Sequence, residues 1–171
     1  MTFKETLGEL KKSEEFKKFK KKHPDSYLYA AFFVLGSEID QKQLDFYIGE
    51  DEKVATFNFS KDEHGKEIIT EKEGETVVKT KSEKINEDIK IDTEEIKKIA
   101  EKEAEKEGMK MEKIIAILQN INGNQLWNLT VIMPSFFMLR LHIDMSGEII
   151  ERKKGSLFDI IQKNKDAKYI G

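Results

Sequence analysis

Cysteine is absent from this chain, proline occurs only twice and tryptophan once in 171 residues. Without cysteine there are no disulfides, thiolate zinc sites, iron–sulfur clusters or thiol nucleophiles, and the chain suits a reducing cytosol. Long apolar runs are missing too. No segment approaches the roughly 18 consecutive apolar residues of a membrane helix, and the lysine-rich N-terminus has no run of signal-peptide length. The expectation is a soluble, cytoplasmic protein with no membrane partner. A charge excess is also lacking: 30 basic against 33 acidic residues give a net charge of −3, so there is no global pull toward nucleic acid or anionic lipid. No G-x-S-x-G elbow, Walker loop or G-x-G-x-x-G is present, and no carboxylate pair stands out among the many acidic residues. The expectation is a non-enzyme with no catalytic residues, no cofactor and no metal.

What is present is patterned. Thr2 to Glu5 has the form of a capping box, and Phe3, Leu7, Leu10, Phe16 and Phe19 follow at helical spacing. Pro24 disfavours helical geometry in the residue before it. The spacing predicts a helix over about 2–22, with a break near Ser13. "SYLYAAFFVLG" and "KQLDFYIG" predict strands, and in "KVATFNFS" the residues Ala55, Phe57 and Phe59 share one face. Gly74 divides two β-prone runs, 68–70 and 76–80, which predicts an exposed hairpin. Asp92 caps a second helix to about 107, with Ile96, Ile99, Ala100 and Ala104 as its stripe and Gly108 at its end.

The second half continues with "MEKIIAILQNI", the tight-turn pair Asn122-Gly123, "QLWNLTVIM", a turn at Pro134-Ser135, "FFMLRLHIDM" and a last turn at 144–147 into "EIIER". Ser156 then caps a short C-terminal helix bearing Leu157, Phe158, Ile160 and Ile161. The fold class is α+β. Helix followed by antiparallel meander occurs twice, over 1–90 and 91–171, either as two units or as one continuous domain. A gap-free offset of 82 aligns Gln43-Leu44 with Gln125-Leu126, Phe57 with Leu139, Asp62 with Asp144 and Gly65 with Gly147.

The run from Ile143 to Ile150, "IDMSGEII", resembles the last hairpin of the PepSY domain: Ile-Asp, a Ser or Thr, Gly, Glu and an apolar close. In tandem the pattern is similar to the β-lactamase-inhibitor-protein architecture, two helix-plus-four-strand units sharing one sheet. The chain also resembles small uncharacterised archaeal proteins. These resemblances imply a fold and carry over no functional residue. PepSY domains usually lie outside the cytoplasm, so the missing export signal is a departure.

Two features suggest surfaces. In "VIMPSFFML", Val131, Met133, Phe137 and Leu139 can face helix 92–107, which leaves Ile132, Phe136 and Met138 for the other side. Each large apolar side chain left in water forgoes roughly 1.5–3 kcal/mol. Something must therefore shelter them: preferably the first unit or the C-terminal helix, otherwise a protein partner or a second copy. The predicted binding surface is Ile132, Phe136 and Met138, edged by Arg140 and His142. Arg140, His142 and Asp144 share a strand face and are expected to form a mutually satisfied polar row. The second feature, ranked lower, is "FKKFKKKH", whose Lys17, Lys18, Lys20, Lys21 and Lys22 could bind phosphate backbones. Third comes a small-molecule pocket between sheet and helix.

Overall fold

The chain in this computed structural model is described over residues 1–36, 40–49, 52–75, 83–159 and 161–163. It opens with α1 (Phe3–Lys12) and α2 (Glu14–Lys22), separated at Ser13. Thr2 Oγ1 accepts from the Glu5 amide while Glu5 Oε2 accepts from the Thr2 amide, the reciprocal box that the sequence predicts. Ser13 ends one helix by donating its amide to the Leu10 carbonyl, and its hydroxyl caps the next by accepting from Phe16 N. The lysine-rich stretch is thus two short helices with an angle between them.

Strands β1 (Tyr27–Leu35), β2 (Gln41–Ile48), β3 (Lys53–Lys61) and β4 (Glu67–Glu75) precede α3 (Thr93–Lys106). β5 (Lys113–Ile121), β6 (Asn124–Ile132), β7 (Phe137–Asp144) and β8 (Ile149–Ser156) complete one antiparallel sheet of order β4-β3-β2-β1-β5-β6-β7-β8. Helical residues 157–159 and 161–163 form a short C-terminal helix, with Ser156 Oγ accepting from Phe158 N at its start. The two meanders meet at the β1–β5 pair, where Ala31 faces Leu118 and Phe33 faces Ala116.

Alternation along each strand decides the core. Phe33, Leu44, Phe57, Trp127 and Leu139 point to the face covered by α1, α2 and α3, where they form one continuous cluster with the helix stripes. Phe16 lies 5.0 Å from Phe46 and Phe19 5.2 Å from Phe57, ring centroid to ring centroid. Trp127 is fully buried, and its indole N–H donates to the Ile91 carbonyl at 2.8 Å, which ties the segment before α3 to the sheet.

Asp92 does more than the sequence reading gave it. It caps α3 through Thr93 N at 2.6 Å, and the same carboxylate accepts from Phe3 N at 2.7 Å and Lys4 N at 3.2 Å, so one side chain caps the N-termini of α1 and α3 together. At the far edge, Arg152 donates to Glu103 and Glu107, and Lys154 donates to Glu107. Ion pairs here join the edge strand β8 to the end of α3, where charges also discourage edge-to-edge pairing.

Several expectations change. The first meander does not stack on the second; β1–β5 pairing makes it an extension of the same sheet, because antiparallel edges satisfy backbone groups that stacking would leave unpaired. β4 runs unbroken through Gly74, so no hairpin turn forms there, and the predicted run 76–80 lies outside the described residues. The offset of 82 holds at the turns and fails in β2 and β6. Asp62 and Asp144 each accept through Oδ1 from the amides two and four residues on, and Gly65 and Gly147 each donate to the aspartate carbonyl. Leu44, however, faces the helices, whereas Leu126 points away. The register pairs Leu44 with Phe57 but Val131, not Leu126, with Leu139.

Candidate binding surface

The second face of the sheet has no helix among α1 to α3 against it. Its side chains follow from the register. The central strands contribute Phe32 and Val34 from β1 and Ile115 and Ile117 from β5, with Phe32 opposite Ile117 and Val34 opposite Ile115. All four are partly exposed. Next to them β6 and β7 place Ile132 opposite Met138, Thr130 opposite Arg140, and Asn128 opposite His142. Four of the five predicted surface residues therefore share this face.

The fifth, Phe136, lies outside the strands, in a 3-10 turn, Pro134–Phe136, in which Ser135 and Phe136 both take positive φ (61° and 62°). Two left-handed residues in succession interrupt the strand alternation, so parity counted through Pro134 does not apply to the ring. Phe136 is 57% exposed, and its ring stands edge-on to Phe158 of the C-terminal helix at 5.3 Å. Met138, by contrast, is only 5% exposed. It is part of the floor of the face and not a protruding anchor.

The polar row also differs. His142 Nδ1 lies 2.8 Å from Glu151 Oε2 across β7–β8, and Lys153 lies 2.7 Å from the other oxygen of Glu151. That lysine, with smaller help from His142 and Arg140, holds the Glu151 carboxyl below its ordinary value. Asp144 is no partner of His142. The Ser146 hydroxyl and the amides of Ser146 and Glu148 occupy it, and these bonds lower its pKa. A turn aspartate bonds first to the amides its own backbone brings within reach.

Sequence reasoning missed the other half of this face. A bulge between Leu28 and Ala30 brings Tyr29 beside Tyr27 and Tyr47, with Tyr27–Tyr47 centroids 5.4 Å apart and Tyr29–Tyr47 stacked at 6.1 Å. Two residues along β2 from Tyr47 lies Asp45. Gln43 Nε2 donates to both its oxygens, at 2.9 and 3.1 Å, and the Thr56 hydroxyl adds a further bond. Burial outweighs both donors and raises its carboxyl above the ordinary value. The available signal was the two-sided apolar character of "AAFFVL" and "KIIAIL", which resembles that of "VIMPSFFML".

The lysines of α2 are largely engaged. Lys17 pairs with Glu14 at 2.7 Å and Lys22 with Glu73 at 3.4 Å, while Lys20 donates to the carbonyls of Pro24 and Ser26. Lys18 and Lys21 lie exposed. A cavity of about 870 Å³ opens at the strand ends near Met1, Phe32, Lys42 and Phe59, the last of which belongs to the buried core cluster. Among the described residues no group of three or more His, Cys, Asp or Glu is placed to hold a metal ion, and no helix is long and apolar enough to cross a membrane.

No protein-family model matches the chain. No curated protein matches it either. Among solved structures it is similar to a putative lipoprotein from Clostridium difficile 630, with a TM-score of 0.58 and 11% sequence identity, covering 83% of this chain and 91% of that one. At that identity the similarity is one of fold.

Proposed function

We propose that this chain is a non-catalytic binding module that engages a protein through the sheet face opposite α1 to α3. The observation that carries the reading is the apolar group Val34, Phe32, Ile115 and Ile117, with Ile132 diagonal to Ile115, partly exposed on the face opposite α1 to α3 and edged by Arg140 and His142. Apolar centre and polar rim are the anatomy of a protein interface. Charged lysines on α2 support the nucleic-acid alternative less well, since three of the five are engaged by neighbouring groups. The cytoplasmic placement that goes with this reading rests on the absence of cysteine.

The reading treats the chain as two related units, 1–90 and 91–171. Repeated element order and the matching hydrogen bonds of the Asp62 and Asp144 turns support it, as does the resemblance of 143–150 to the PepSY hairpin. A cooperative melt of residues 91–171 expressed alone agrees with two units, and an unfolded fragment counts against them.

The test of function is capture from an extract of the source organism, with wild type and an Ile117→Asp/Ile132→Asp variant whose fold is checked by circular dichroism. Light scattering runs alongside to detect self-association. A protein retained by wild type and lost by the variant, or a dimer lost by it, supports the face. A monomer that retains nothing, or retention indifferent to both substitutions, removes it.

A further inference from the structure

The Asp45 corner of the face opposite α1 to α3 carries a charge that bears on what could dock there. Asp45 sits in the middle of β2, opposite Ala30 on one side and Thr56 on the other, so small neighbours flank its carboxylate. Its bonds come from neutral donors, Gln43 and Thr56, and no ion pair to it is found among the described residues. Lys72, in the same row, is a strand further on, opposite Thr56. Along the strand stands Tyr47, packed against Tyr27 and Tyr29.

A partly buried carboxylate whose partners among the described residues are all neutral is less favourable than one paired with a cation. The cross-strand neighbours of Asp45, Ala30 and Thr56, are small, Tyr29 lies close enough to feel its charge, and tyrosine faces attract cations. We propose that this corner receives a cationic side chain, arginine in the first instance, from the docked partner. The planar guanidinium can bond both Asp45 oxygens while stacking on Tyr47, which a compact ammonium does less well. This rests on the binding-face reading and adds the partner's chemistry to it.

The experiment uses the full chain labelled with ¹⁵N and a short extended probe peptide carrying one arginine between valines, compared with the same peptide carrying citrulline. Citrulline keeps the shape and removes the charge. The arginine peptide is expected to shift the amides of Ala30, Asp45, Tyr47 and Thr56 at millimolar concentration, at least tenfold more tightly than citrulline. Asp45→Asn should abolish the difference between the two, and Asp45→Glu should keep part of it. Equal binding of the peptides, shifts confined to other strands, no shift at all, or an Asp45→Asn variant that still discriminates would each overturn the proposal. These results are separable from the capture experiment: a partner captured by the Ile117 and Ile132 band, with no arginine preference at Asp45, leaves the binding face standing and removes only this corner.

Discussion

Replacing Asp92 with alanine should destabilise the protein more than any ordinary helix cap would. An N-cap is worth typically about 1 kcal/mol, and Asp92 serves two helices at once through Phe3 N, Lys4 N and Thr93 N. Two caps come to about 2 kcal/mol. Phe3 is fully buried, so its amide has no water to turn to, and an unsatisfied buried donor adds roughly 1–2 kcal/mol. The sum is about 3–4 kcal/mol. With an unfolding entropy near 2.1 cal/mol/K per residue for a chain of this length, that lowers Tm by roughly 10 °C. Asp92→Ser separates the two roles: one hydroxyl still caps α3 but cannot also serve Phe3 and Lys4, so about half the loss is expected. Urea melts give the energies, and amide hydrogen exchange over Phe3–Lys12 shows whether α1 is the part released. An Asp92→Ala protein within about 1 kcal/mol of wild type, or a serine variant as damaged as the alanine one, would refute the double cap.

Other outcomes follow from single sites. Burial raises the Asp45 carboxyl above its unfolded value of 3.8, so its ionisation opposes folding: the deficit is fully present above the raised value and fades as pH falls toward 3.8. Asp45→Asn should therefore melt higher than wild type at neutral pH, with the gap narrowing on acidification in a pH series of melts. Glu103 has the opposite sign. Burial opposes its charge, but hydrogen bonds from Lys106 and Arg152 outweigh burial and lower its pKa. Its stabilisation is present above the ordinary glutamate value and lost as pH drops through the lowered one, a loss that Glu103→Gln should not show. Gly147 (φ 88°) would place a Cβ 3.3 Å from the Ile91 side chain, whereas Gly65 (φ 75°) would meet nothing within 4 Å. Gly65→Ala should cost roughly 1 kcal/mol of backbone strain, and Gly147→Ala measurably more in the same urea melt. Ser135→Gly, relieving a left-handed serine, should raise stability by up to about 1 kcal/mol.

Local chemistry was legible wherever neighbours in sequence are also neighbours in space. The Thr2 capping box, the Asp92 cap, the Ser13 break, the Asn122-Gly123 turn and the helix-facing row Ala55–Phe57–Phe59 follow from hydrogen bonds or side-chain periods spanning a few residues. The candidate face was legible in part. Ile132, Met138, Arg140 and His142 share a face by alternation, which two positive φ angles interrupt at Phe136. Tyr29 joined the other tyrosines through a bulge that depends on the partner strand β2.

By itself the sequence determined most of the elements and the helix-facing rows of β3, β6 and β7. Only the tertiary structure decided that the two meanders lie edge to edge through β1 and β5, that Asp92 joins the starts of α1 and α3, and that His142 answers to Glu151 and not Asp144. The physical reason is range. Capping and alternation act over a few residues, whereas strand order and cross-strand partners are chosen by which distant edges leave the fewest backbone groups unpaired.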